Sequence, residues 1–152
     1  MEFDRSRLRH GELIVAISAI VLLASVLLLK WYGRGSTTID GWHGLAHIRW
    51  LLLITILAGL GLVFFQATRR APAVPAAFSV IVTVLGILTV AALVYRVVIN
   101  PLVAEDRELG AFVGLASAIM LSYGGYRSIR EEGTSVRDGP PEIETVELDR
   151  TP

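Results

Sequence analysis

Apolar runs alternate with short polar segments four times along this chain. Residues 13–29, 50–66, 76–95 and 109–126 contain no Asp, Glu, Lys, Arg or His. Apolar side chains in these runs fall on every side of a 3.6-residue period, and a helix apolar all round belongs in lipid or deep in protein. The third run is the clearest. Residues 71–95 are 25 positions without a charge, and a helix over 76–99 would be about 36 Å long, enough for a hydrocarbon layer of about 30 Å. The pattern predicts an all-α fold with four transmembrane helices over about 12–32, 49–67, 76–99 and 109–128. These form one four-helix bundle within residues 1–130, followed by a tail over 131–152.

The segments between the runs predict how the spans are joined. Residues 30–49 read as a connecting loop in which Gly33, Gly35, Ser36 and Gly41 interrupt regular structure. Asp40 is placed to cap a short helix with Trp42, Leu45 and Ile48 on one side and His43 and His47 on the other. Trp31, Tyr32, Trp42 and Trp50 are expected at the lipid–water boundary, which tryptophan and tyrosine favour. Pro72 and Pro75 are expected to keep the second connection non-helical until the third span begins. Asn100-Pro101 ends that span, and residues 102–108 form an acidic connector. A basic start before an apolar run also describes a secretory leader. Here Lys30-Trp31-Tyr32 stands where a small-residue cleavage site would be, so the first run reads as an uncleaved span.

Composition agrees with a membrane solvent and narrows the chemistry. Of 152 residues, 53% are hydrophobic and 18% charged, with mean hydropathy +0.60, against about 25% charged in globular domains. Fourteen basic residues balance fourteen acidic ones, so net charge gives a nucleic-acid partner no support. The absence of cysteine excludes disulfides and thiolate chemistry. Nine of the basic residues lie in the N-terminus, the second connection and the tail, and five flank the first and third connections. Positive-inside counting therefore places both termini in the cytoplasm. The tail holds seven acids and two bases, a charge of −5, with Pro140, Pro141 and no aromatic residue, and is expected to be disordered. Its segment 142–148 interleaves acids with Ile143, Val146 and Leu148, a pattern able to add a strand to a partner.

Gly110, Gly114, Ala118 and Ser122 recur every four residues on the fourth span, and small residues at that spacing let helices approach closely. Gly59 beside Thr55, and Gly86 beside Thr83, offer matching faces on the second and third spans. The stripe serves packing within the bundle or association with a second copy. His43 and His47 are four apart, a spacing used by zinc or copper sites, which need at least a third ligand. Two histidines at an interface are the plainer reading. Arg96 stands about 33 Å beyond Val74, at a membrane boundary, where it can reach water or pair with Glu105 or Asp106. Glu12 stands at the edge of the first run. With no titrating residue inside the runs, a proton relay has no carrier. Motifs for nucleophilic serine, phosphate loops and HExxH zinc are absent from the sequence.

The segments RHGELIVAISAIVLLAS, FQATRRAPAVPAAFSVIVTVLG and LGAFVGLASAIMLSYGGYRSIREEG resemble small four-span membrane proteins of actinobacteria. The likeness covers roughly residues 8–133 and lies in layout. It implies four helices in a bacterial cytoplasmic membrane and brings no activity, cofactor or site residue with it. The expected function is that of a non-catalytic accessory or scaffold, contacting lipid and a second copy or another membrane protein. One alternative is an extracytoplasmic metal-binding protein using His43 and His47. Another is a transporter or lipid-handling protein for a neutral substrate, through Ser117, Ser122, Tyr123 and Tyr95.

Overall fold

A computed structural model describes residues 10–34, 36–68, 73–99 and 106–133. Helix α1 spans His10–Leu28, α3 Arg49–Thr68, α4 Ala73–Val94 and α5 Leu109–Gly133, and a single wide π turn, Tyr95–Ile99, extends α4. All four are long and apolar enough to cross a membrane. Helix α1 packs against α5 and α3, and α4 packs against the same two from the other side, which closes an antiparallel four-helix bundle. Their outward residues are large and apolar, among them Ile17, Leu57, Val84, Ile87 and Phe112. That is the surface lipid tails solvate, since only helices with internally satisfied backbones are stable there.

Small residues set the helix separations. Adjacent helical positions point about 100° apart, so Gly124 and Gly125 serve two neighbours at once. A Cβ on Gly124 would lie 2.9 Å from the Val15 amide nitrogen of α1, and one on Gly125 would lie 2.7 Å from Thr83 Oγ1 of α4. Gly59 faces Val15 and Ala19, and Gly86 faces Ser122, so the expected packing faces of the second and third spans both meet a helix. Ala118 is fully buried. Pro75 does not hold α4 back as expected. The helix begins at Ala73, because proline in a first turn lacks only an N–H that would have no intrahelical acceptor.

The all-α expectation misses a small sheet at one end of the bundle. Strand β1 (Lys30–Arg34) pairs antiparallel with β2 (Thr37–Asp40) and with the two-residue β3 (Asp106–Arg107), in the order β2-β1-β3. Arg34 pairs with Thr37, and the Glu108 amide donates to Trp31 O at 2.9 Å. A β-bulge lies between Lys30 and Tyr32. In a regular strand successive side chains face opposite ways, but the bulge lets Trp31 and Tyr32 both turn inward. Both are wholly buried, not boundary residues as their type suggested. The Trp31 ring lies against Gly110 and Gly114 of α5, and the Tyr32 ring against Gly44. Together they stopper the bundle. The one-turn helix α2 (Gly41–Gly44) then leads into α3.

The N-terminal arginines Arg5, Arg7 and Arg9, the Arg69-Arg70 turn, Glu105 and the tail from residue 134 onward lie outside the described residues.

Candidate functional site at the sheet end of the bundle

Buried hydroxyls of the bundle find a neighbouring hydroxyl or a backbone carbonyl, while Gln66 Oε1 is buried without a partner among the described residues. Ser25 Oγ donates to Gly110 O at 2.9 Å, and Trp31 Nε1 donates to Ser25 O at 2.8 Å. Thr55 Oγ1 and Thr89 Oγ1 lie 2.7 Å apart between α3 and α4, and Ser79 Oγ and Ser128 Oγ lie 3.2 Å apart between α4 and α5. Buried hydroxyls are satisfied this way when no water reaches them. Ser117 and Ser122 each donate to a carbonyl of their own helix, Gly114 O and Ala118 O. Tyr95 lines a groove at the sheet end, and Tyr123 a shallow depression towards the other end with Tyr126, Arg127, Arg130 and Glu131. The four side chains suggested for a neutral substrate are therefore not gathered at one place.

Gly110 and Gly114 face Ser25 of α1, whose Oγ donates to Gly110 O, and they face β1 as well. There they accommodate the indole of Trp31 and the Lys30 carbonyl. Glu12 departs from expectation. Standing in the first turn of α1, where the helix dipole favours a negative charge, it is enclosed completely. Gly11 beside it packs on Ser128, and the Gly11 amide donates to Glu131 Oε2 at 3.4 Å.

Asp40 caps α2 as expected. Its Oδ1 accepts the His43 amide at 2.9 Å and contacts His43 Nδ1 at 2.7 Å. Burial pushes the Asp40 carboxyl up, but the hydrogen bonds from the His43 amide and ring, with the attraction of that ring, outweigh it and hold the carboxyl below its usual value. The helix stops at Gly44, and His47 lies in the following turn. His43 is thus engaged by Asp40 while His47 lines the groove. Among the described residues no three His, Asp or Glu side chains converge on a metal position.

The groove is bounded by His47 and Ile48 ahead of α3, by Ala92 of α4, and by Tyr95 and Arg96 of the π turn, and encloses about 280 Å³. Tyr32 Oη, reaching from the sheet, donates to Arg96 O at 3.4 Å. Among the described residues Arg96 has no ion pair: Asp106 sits opposite Gly33 in the sheet, and the other candidate, Glu105, is outside the described set. Next to Ile48, the Arg49 guanidinium lies 5.3 Å from the Trp42 ring and 5.6 Å from the Trp50 ring. Arg49 Nε is buried with no hydrogen-bond partner, so the ring faces supply its stabilisation. Sequence reading named these tryptophans but not the cation between them, because the turn that folds Trp42 back on Trp50 is a tertiary arrangement.

Comparison with protein families, with curated proteins and with solved structures finds no match. The class of molecule is therefore defined by its own features: a bundle of four helices long and apolar enough to cross a membrane, stoppered at one end by a three-stranded sheet.

Proposed function

We infer that this chain is a non-catalytic accessory or scaffold subunit of a bacterial cytoplasmic membrane. Both termini and the acidic tail are on the cytoplasmic side, and the sheet is on the other. The observation that carries the reading is the closure of the interior. The hydroxyls of Ser25, Thr55, Thr89, Ser79 and Ser128 and the indole of Trp31 are all taken up in contacts between elements of the bundle, which supports a structural frame. Such a frame displays surfaces: the outer edge of β2, able to take a partner's strand, and the tail.

Extraction into polymer-bounded native membrane discs tests the assignment. A complex with a fixed ratio of this chain to another membrane protein, or to a second copy, is the expected result, and a lone monomer from every native membrane preparation would refute it. Tags on the two termini are both expected to be reached only from the cytoplasm. The metal reading of His43 and His47 has the Asp40–His43 contact in its favour, and among the described residues no group of three ligands converges there. Elemental analysis of protein purified without chelator decides it.

A further inference from the structure

We propose that the groove at the π turn holds one anionic phospholipid of the adjacent leaflet, with its phosphate on Arg96 and the start of an acyl chain along Ile48, Ala92 and Tyr95. This rests on the membrane reading of the helices and is independent of the scaffold role. Depth is the first reason. Arg96 stands 19 residues beyond Ala77, where the fourth-helix neighbour α4 becomes long-range apolar, so it lies about 29 Å along the helix, at the edge of the hydrocarbon layer where phosphates lie.

Charge is the second reason. Arg96 is half-buried in an apolar wall and has no acidic partner among the described residues. An unpaired cation beside hydrocarbon is costly, and the guanidinium fork matches phosphate oxygens. Arg49, held between Trp42 and Trp50, adds a second cation at the same end, which favours an anionic headgroup over a zwitterionic one. His47 lines the same groove. Preorganisation is the third reason. The hydrogen bond from Tyr32 ties the Arg96 backbone to the sheet, which fixes the point from which the side chain extends, and π turns of this kind recur at functional positions. The volume, about 280 Å³, is at the lower limit of small-ligand sites, roughly 300–1,000 Å³. It suits a headgroup and the first part of a chain and is too small for a helix.

The test is native mass spectrometry and thermal unfolding of the full chain in neutral detergent, titrated with phosphatidylglycerol, phosphatidylcholine or inorganic phosphate. Phosphatidylglycerol is expected to remain bound at one per chain and to raise the unfolding temperature, with the other two inactive. Arg96→Gln is expected to weaken retention about fivefold, the effect of one basic residue near an anionic surface. Arg96→Lys should recover part of it, and Ala92→Phe, which fills the groove and leaves the charge, should abolish it. Arg34→Gln, at the exposed end of strand β1, should change nothing. Equal retention by wild type and Arg96→Gln overturns the proposal, as does competition by inorganic phosphate. Because the chain has no cysteine, Tyr95→Cys is a single-site probe. Its disulfide cross-linking to a second copy in native membranes would give the groove to a protein occupant instead.

Discussion

Replacing Gly114 with alanine adds one methyl group and should measurably loosen the molecule. A Cβ there would lie 2.3 Å from two atoms of the Trp31 ring, far inside contact distance. The ring has nowhere to go. It is wholly buried, its Nε1 is bonded to Ser25 O at 2.8 Å, and that same edge lies on Gly41. Overpacking of this sort costs about 1–3 kcal/mol, while glycine-to-alanine in a helix returns up to about 1 kcal/mol. With the full gain subtracted the net loss is about 0–2 kcal/mol, and the closeness of the ring to Gly114 places it at the upper end. Gly61 is the internal control, because a Cβ there meets only Phe78 at 3.6 Å, ordinary contact, and Gly61→Ala should be neutral or stabilising by up to about 1 kcal/mol. Unfolding of each variant in detergent, followed by tryptophan fluorescence, ranks Gly114→Ala below wild type and Gly61→Ala at or above it. In a Trp31→Leu background the Gly114→Ala penalty should largely vanish, a coupling on the order of 1 kcal/mol. Equal stability of Gly114→Ala and Gly61→Ala would show that Trp31 does not sit on α5, and the account of the stopper would fail with it.

Two further outcomes follow from the hydrogen bonds. A double-mutant cycle with Thr55→Val and Thr89→Val should give a coupling of about 0.6 kcal/mol, the average for such pairs between membrane helices, read from unfolding in detergent; zero coupling would remove that contact between α3 and α4. Asp40 has a lowered carboxyl pKa in the folded chain, so its contribution is full above the ordinary value of 3.8 and fades as pH falls through the lowered folded value. Hydrogen exchange at the His43 amide should accelerate below that range relative to neighbouring amides after correction for intrinsic pH dependence. In Asp40→Ala it should be fast at every pH.

Some of this molecule could be read directly from the order of its residues. Length and uniform apolarity are enough to specify four membrane-crossing helices, because lipid forbids an unpaired backbone whatever the neighbours are. A small residue within an apolar helix can mark a close approach; Gly59 and Gly86 lie at such places, while Gly61 does not. The hairpin had a local signal too. Gly35-Ser36 ahead of Thr37, Thr38 and Ile39 reads as a two-residue turn before β-branched positions, but the glycines around it concealed the strand.

What packing alone decided is which residue each of these faces meets. Gly110 and Gly114 have the spacing of a helix-pairing motif and face Ser25 of α1, and the bulge in β1 delivers an indole to them as well. Glu12 stands at the edge of its run and is enclosed because α5 crosses beside it through Gly124. Arg96 has its boundary position from helix length, but its place in a groove with His47, Ile48 and Ala92 comes from the sheet tying down the π turn. Periodicity encodes which solvent a segment tolerates. Partners more than a hundred residues apart, such as Gly11 and Ser128, are chosen by the shapes left when four helices close on one another.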